Sequence, residues 1–299
     1  MKFGIALIAV ASVAQASDRF RSGSVSTHEK FTFGKFITRM KAPNKKGTVS
    51  SFFTYFDAPE GHDDWNELDI EVVPSVEHNP FSTNIIFGGD GFDKTESHQY
   101  VHEFDPKDEW HTYALEWTPD YISWSIDGHE VRHVDDQSVI GHIGKDQSLR
   151  MNFWTPEFHV WGQGLDSSDM PWYLMYDYVQ VFTYDEADNE FHEHWKDNFD
   201  SFDSTRWHKA TGGFDSNSSI FHPENVSVKA GNLVLKMEPE AIHHDDQPVH
   251  HKHYQHRFET AEHANYEDDE GSAADHEDHG DYGHQYLDSS DSEAEWNEY

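Results

Sequence analysis

The sequence predicts an all-β protein, a β-sandwich with one sheet face free to form a groove. Three observations lead there. Short segments that alternate apolar and polar positions recur from residue 17 to about 239. Aromatic residues are abundant, with 10 Trp, 13 Tyr and 21 Phe, as expected for strands with aromatic cross-strand pairs or for a surface that stacks flat ligands. Helical periodicity is nowhere sustained, and turn signals separate the apolar runs.

The segments follow in order. Residues 35–41 (KFITRMK) alternate, residues 49–56 (VSSFFTYF) are aromatic and β-rich, and residues 67–73 alternate charge with aliphatics. Residues 121–126 and 129–134 flank Asp127-Gly128, a strong hairpin signal. Residues 149–154, 172–184, 225–228 and 232–237 complete the set, the last two joined by Ala230-Gly231.

Composition sets the boundaries. The 299 residues contain no cysteine, which excludes a disulfide framework and any Cys nucleophile or Cys-bound metal. Asp and Glu number 57 against 21 Lys and Arg, a formal charge of −36. Nucleic acid and anionic membrane both require a basic face, so neither is an expected partner. Lys2, the apolar run 5–14 and Ala14-Gln15-Ala16 form a secretory signal pattern, so residues 1–16 are expected to be removed and the protein secreted. No other apolar run approaches the ~20 residues that span a bilayer. Residues 240–299 hold 18 Asp and Glu, 10 His and 2 Lys and Arg, with isolated aliphatics; this acidic, His-rich tail is expected to be disordered. Its His243-His244, His250-His251-Lys252-His253 and His256 clusters suit weak, pH-dependent metal binding or simple solvation.

The chemistry concentrates in Trp65-Asn66-Glu67-Leu68-Asp69-Ile70-Glu71. On a strand Glu67, Asp69 and Glu71 share one face, and Leu68 and Ile70 point the other way. Three like charges on one face are not something folding asks for. The Glu67 and Glu71 Cα atoms lie about 13 Å apart at strand rise, and two long side chains close that to the ~5–5.5 Å of a retaining glycosidase. Asp69 between them is placed to share a proton with one neighbour. An acidic outer strand face or a calcium site are the competing readings of the motif alone. The adjoining Trp and the secreted, aromatic-rich context favour carbohydrate chemistry.

Gly47-Thr-Val-Ser-Ser-Phe-Phe-Thr-Tyr55, the WNELDIE segment and Trp110-His-Thr-Tyr-Ala-Leu-Glu-Trp117 resemble family 16 glycoside hydrolases, the lichenase (endo-β-1,3-1,4-glucanase) branch above all. Asp120-Tyr-Ile-Ser-Trp-Ser-Ile-Asp-Gly128, Met151-Asn-Phe-Trp154 and Tyr176-Asp-Tyr-Val179 extend the resemblance over roughly residues 20–239. It implies a concanavalin-like jelly-roll sandwich with a concave substrate groove. Asp197-Asn-Phe-Asp-Ser-Phe-Asp-Ser-Thr-Arg-Trp207 resembles the segment that opens most members, yet here it comes late. The domain at 17–239 is therefore expected to be circularly permuted, with 184–197 as the new connection.

By resemblance, Glu67 is the nucleophile, Glu71 the general acid/base and Asp69 their helper. Trp65, Phe53, Tyr55, Asn84, Asn152, Trp154, Trp161 and Arg39 match substrate-binding positions. Catalysis needs no cofactor; a structural calcium is implied at Asp177 with the backbones of Asn198 and Gly231. The implied substrate is β-glucan polysaccharide, with mixed β-1,3-1,4 linkage, cut with retention by a monomer. The runners-up are a transglycosylase of the same fold and a non-catalytic wall-binding protein. Two departures bear on substrate range: Ile37 stands where members carry a sugar-binding Glu, and Gly212 where permuted lichenases carry a Trp. The acids of residues 57–64 are expected at the groove edge. Asn217-Ser-Ser and Asn225-Val-Ser are N-glycosylation patterns.

Overall fold

The computed structural model describes residues 19–240, apart from 60–63, 78–79, 90–91, 102–103 and 158. The leader at 1–16, the tail from residue 241 with its His clusters, and the middle of the 57–64 loop lie outside the described residues. The strands are β1 (Phe20–Ser22), β2 (Ser24–Phe31), β3 (Gly34–Lys41), β4 (Val49–Tyr55), β5 (Trp65–Val72), β6 (Phe81–Gly89), β7 (Phe92–Val101), β8 (Trp110–Trp117), β9 (Ile122–Ile126) and β10 (His129–Val134). They continue with β11 (Gln147–Trp154), β12 (Trp172–Asp185), β13 (Glu190–Asp197), β14 (Trp207–Lys209), β15 (Ser219–Phe221), β16 (Val226–Lys229) and β17 (Asn232–Pro239). Among the described residues the α-helices are α1 (Gln137–Ile140) and α2 (His159–Gly162), each a single turn.

The strands form two sheets. One runs β14-β2-β11-β4-β5-β6-β7; the other runs β10-β9-β8-β3-β12-β17-β1-β15, with β13 beside β12 and β16 beside β17. Alternation decides what lies between them. Leu68, Ile70 and Val72 of β5, Phe52 of β4 and Leu149, Met151 and Phe153 of β11 pack inward against Phe36, Met40, Leu115, Trp117, Trp124 and Tyr176 of the other sheet. Each such buried side chain contributes roughly 1.5–3 kcal/mol. This is the jelly-roll sandwich the motifs imply. Both expected hairpins form: Asp127 and Gly128 take φ of 50° and 82°, Ala230 and Gly231 50° and 74°, the paired left-handed geometry that matches strand twist.

Two expectations are corrected, at Arg39 and at residues 184–197. Arg39 does not reach the catalytic face. It lies on β3, where Phe36, Thr38 and Met40 face the core and Lys35, Ile37, Arg39 and Lys41 alternate onto the outer face of the ten-stranded sheet. There Arg39 pairs with Asp177 at 2.8 Å and stacks over Trp110 at 5.0 Å. Ile37 shares that face, so its lack of a carboxyl takes nothing from the opposite side of the sandwich. Residues 184–197 are a β-hairpin rather than a plain connection: β13 pairs with β12 from Val179↔Asp197 to Asp185↔Glu190, and Trp195 packs against the core. Asn225 is 1 % exposed, and its amide donates to the Arg21 and Lys236 carbonyls at 3.3 and 3.1 Å, so the folded chain does not present it to a glycosylating enzyme.

Candidate active site

β5 is an inner strand of the seven-stranded sheet, and burial of Leu68, Ile70 and Val72 against the core turns Glu67, Asp69 and Glu71 to the outer face. The sandwich fixes this strand from behind. The Trp124 indole N–H donates to the Asp69 carbonyl at 3.0 Å, and the Tyr176 hydroxyl donates to the Ser51 carbonyl of β4 at 2.7 Å. Asn66, 1 % exposed, accepts from the Gly144 and Lys145 amides at 3.0 and 3.1 Å, tying the next loop to the start of β5.

Cross-strand partners share a face, so the register sets out the site in rows. Glu67 lies between Tyr55 and Ile86, with Glu96 beyond Ile86; Asp69 lies between Phe53 and Asn84, with His98 beyond. Glu71 lies between Ser51 and Ser82, with Tyr100 beyond. On the other flank β11 adds Ser148, Arg150 and Asn152 opposite Tyr55, Phe53 and Ser51. At one end Trp154 joins Val49, Val73 and Phe221 in a second apolar cluster against which Trp161 and Phe214 pack, with Phe214 at 4.9 Å from Trp154. Trp161 donates to the Tyr100 hydroxyl at 2.9 Å, His98 lies edge-on to Tyr100 at 4.5 Å, and His98 Nε2 meets Ser82 Oγ at 2.6 Å. The structure thus gathers Trp65, Phe53, Tyr55, Asn84, Asn152, Trp154 and Trp161 around the three acids.

The carboxyls differ in their surroundings. The Trp65 indole N–H donates to Glu67 Oε2 at 2.6 Å. Burial raises the Glu67 pKa, and four groups oppose it: the Trp65 hydrogen bond, Lys94, a hydrogen bond from Asp69, and Arg150. Nothing comparable opposes the rise at Glu71, where burial and then the charges of Glu67 and Glu96 push the carboxyl up to about 8. Asp69 is driven well above the usual range by burial and by Glu67 and Glu71, so it carries a proton and donates it to Glu67. Glu67 is therefore the carboxyl that ionises first, and Glu71 the one that holds its proton at neutral pH. The asymmetry is that of a nucleophile and an acid.

Ser51 Oγ, Asn84 Oδ1 and Asn152 Oδ1 are buried on this face and have no hydrogen-bond partner among the described residues. An unsatisfied buried polar atom costs about 1–3 kcal/mol. Three of them around Glu71 suit a ligand that brings hydroxyl groups. Sequence reasoning missed Ser51, Ser82, Lys94, Glu96, His98, Tyr100 and Arg150. The segment 92–101 is polar on both strand faces (Thr95, Ser97 and Gln99 alternate with Lys94, Glu96, His98 and Tyr100), so no amphipathic signal marked it; long-range pairing to β6 brings it in. Asp177 sits at an irregularity in β12 where β17 pairing ends at Tyr176 and β13 pairing begins at Val179, between the strand that precedes Asn198 and the one that follows Gly231. Its carboxylate is taken by Arg39 at 2.8 Å.

A β-sandwich that presents an unlike pair of glutamic acids four residues apart, with a proton-sharing aspartic acid between and aromatic rings on both flanks, defines a glycosidase of the jelly-roll class. The chain belongs to the glycosyl hydrolases family 16, whose profile matches residues 8–161. It is 35 % identical over 263 residues to a beta-glucanase of Fibrobacter succinogenes, covering 81 % of this chain and 74 % of that protein. It is 30 % identical over 172 residues to xyloglucan endotransglycosylase/hydrolase protein 8 of Oryza sativa subsp. japonica, covering 55 % and 57 %. Among solved structures, a Bacillus licheniformis beta-glucanase superposes with a TM-score of 0.41 at 24 % identity, covering 53 % of this chain and 69 % of that one.

Proposed function

We propose that the protein is a secreted, monomeric, retaining endo-β-glucanase that hydrolyses mixed-linkage β-1,3-1,4-glucan. The observation that carries the mechanism is the asymmetry of the carboxyl row: donors and cations converge on Glu67, and only burial and negative charge act on Glu71. In this reading Glu71 protonates the glycosidic oxygen as Glu67 attacks the anomeric carbon. The Trp65 and Asp69 hydrogen bonds hold Glu67 in line and ionised. Once the leaving sugar departs, Glu71 takes a proton from water, which opens the glycosyl-enzyme with net retention. Phe53, Tyr55, Trp65, Trp154 and Trp161 supply faces for sugar rings, and Asn84 and Asn152 meet hydroxyl groups. The choice of substrate rests on the beta-glucanase relatives.

The same glycosyl-enzyme passed to a sugar instead of water would make a transglycosylase, a reading that the rice relative favours. Reducing-sugar release from barley mixed-linkage glucan, laminarin, xyloglucan and carboxymethyl-cellulose, run beside Glu67→Ala, tests both. Release from mixed-linkage glucan alone, lost in the variant, is expected. Product growth only with added acceptor oligosaccharide would move the assignment to the transferase. Activity retained by Glu67→Ala would sink the nucleophile.

We further propose that the chain order is permuted and that Asp177, Asn198 and Gly231 hold a structural calcium. The permutation is supported by the segment after residue 197, which completes both sheets: β17 lies between β12 and β1, and β14 pairs with β2. Calcium would fasten the junction of β12, β13 and β17 and take no part in the chemistry. Chelation with EDTA is expected to lower the melting temperature by about 5 °C, the scale of a ligand held well above its dissociation constant. An unchanged melting curve with and without added calcium would rule it out.

A further inference from the structure

Arg132 is a cation in the wrong place for a surface strand. It lies on β10, the edge of the ten-stranded sheet, but is 7 % exposed and reaches across the sandwich beneath the opposite sheet. Its guanidinium lies over the Trp124 ring at 4.7 Å. Nη1 donates to the carbonyl and hydroxyl oxygens of Thr83 at 3.1 and 3.0 Å, and Nη2 to the carbonyl and hydroxyl oxygens of Ser97, both at 2.8 Å. Nε has no partner, and Arg132 makes no salt bridge among the described residues. A hydrophobic side chain of similar size would usually serve stability as well or better than a buried, unpaired charge.

What this charge faces explains its retention. Thr83 lies on β6 between Ser82 and Asn84, and Ser97 lies on β7 between Glu96 and His98. Those four neighbours alternate onto the catalytic face. Trp124, which carries the guanidinium, donates to the backbone of Asp69 itself. The positive charge thus sits on the core side of β6 and β7, behind the strands that flank the carboxyl row, and Asp69 is the acid of the row whose charge acts on it.

We propose that Arg132 is a positioning residue for the active site: a countercharge behind Glu67, Asp69 and Glu71 that also clamps β6 to β7, so that Asn84 and His98 keep their places beside the acids. The proposal rests on the glycosidase reading of that row. Other charged groups lie around the same acids: Glu96, Lys94 and Tyr100 from β7, and Arg150 from β11 with its ion-pair partner Asp57, while the Arg132 charge also acts on His98 and helps to hold that imidazole neutral. Of the cations, Lys94 and Arg150 are already engaged with Glu96 and Asp57 on the outer side, whereas Arg132 faces no carboxylate but the row. Burial pushes its guanidinium down to about 10, and Asp69 opposes that shift, so it remains charged at neutral pH.

The experiment is a ¹³C NMR titration of the side-chain carboxyls in the full chain, which needs no substrate. It compares wild type, Arg132→Met, Arg132→Lys, and the Thr83→Val/Ser97→Ala double variant that removes side-chain anchors but keeps the charge. Loss of the charge in Arg132→Met is expected to raise the carboxyl midpoints by about half a unit or more, and to move both limbs of the kcat/KM profile to higher pH. Arg132→Lys and the double variant are expected to titrate close to wild type. A folded Arg132→Met with unmoved midpoints, or a lysine variant that shifts as far as the methionine one, would overturn the proposal. If Arg132→Met does not fold, the wild-type ¹⁵N resonance of Arg132 Nε decides. It should move as the carboxyls titrate and lose part of that movement in Asp69→Asn, since Asp69 is the acid whose charge acts on it; a flat trace in wild type overturns the countercharge. Failure of the glucanase reading would instead appear as inactivity on every polymer with these titrations intact.

Discussion

The two outer faces of the sandwich use charge in opposite ways. On the ten-stranded sheet acids of the central strands have bases beside them: Lys35 with Glu116 at 2.7 Å, Arg39 with Asp177 at 2.8 Å, Lys236 with Glu238 at 2.7 Å. These partly exposed pairs are individually worth about 0–1 kcal/mol and make a soluble surface. On the seven-stranded sheet three acids follow one another on a single strand with a fourth, Glu96, two strands away. Here burial raises every carboxyl of the row, and the neighbouring acids push Asp69 and Glu71 up further. Lys94 and Arg150 pair with Glu96 and Asp57, so the row itself is left without an ion pair among the described residues, and that is where chemistry is placed.

The largest effect that tests this contrast is Glu67→Gln. It removes the nucleophile while keeping the shape, and kcat is expected to fall by at least about 10³-fold. Because the substitution also removes a repelling charge, the melting temperature should stay level or rise. A steep loss of stability beside the loss of activity would mean that the row holds the fold together, contrary to the comparison.

The pH dependence comes next. Glu71 must hold its proton to act as acid, so kcat/KM is expected to fall as pH rises through about 8. The sign for stability runs against ordinary carboxylates. The folded pKa of Glu71 lies above its unfolded value of about 4.3, so between those values the native state binds more protons than the unfolded chain. Stability therefore declines as pH climbs from about 4.3 toward 8, and Glu71→Gln should flatten that decline. Thermal melts of both proteins across this range read it directly. An equal slope in the variant would place the titration elsewhere.

Much of this contrast was legible in the chain. Alternation in WNELDIE set three acids on one face and two aliphatics, Leu68 and Ile70, on the other, and β5 reproduces that pattern. Asp127-Gly128 and Ala230-Gly231 marked their turns because local backbone chemistry decides them. What stayed hidden was decided by distant partners. β7 shows no apolar alternation, since its inward Ser97 is satisfied by Arg132 from the other sheet. Arg39 misled for the same reason: alternation told that it faced away from the core, but nothing local told which of two outer faces it joined. The 184–197 segment is rich in acids and histidines and reads as a surface link, yet Phe191 and Trp195 are enough to lay it down as a strand beside β12.

The smallest expected effect sharpens the comparison most, because it concerns the residue that changed sides. Arg39→Ala removes one partly exposed ion pair and a stacking contact with Trp110. Its cost to stability is expected to stay within about 1 kcal/mol, since both side chains of the pair are about 40 % exposed and water screens them. KM and kcat should change by less than about twofold, because no group on that face reaches the carboxyl row through two packed sheets. The two numbers are read from one preparation, by thermal melt and by initial rates on the active polymer. A rise in KM of tenfold with unchanged stability would put Arg39 back in contact with the substrate, and with it the division of labour between the two faces would fail.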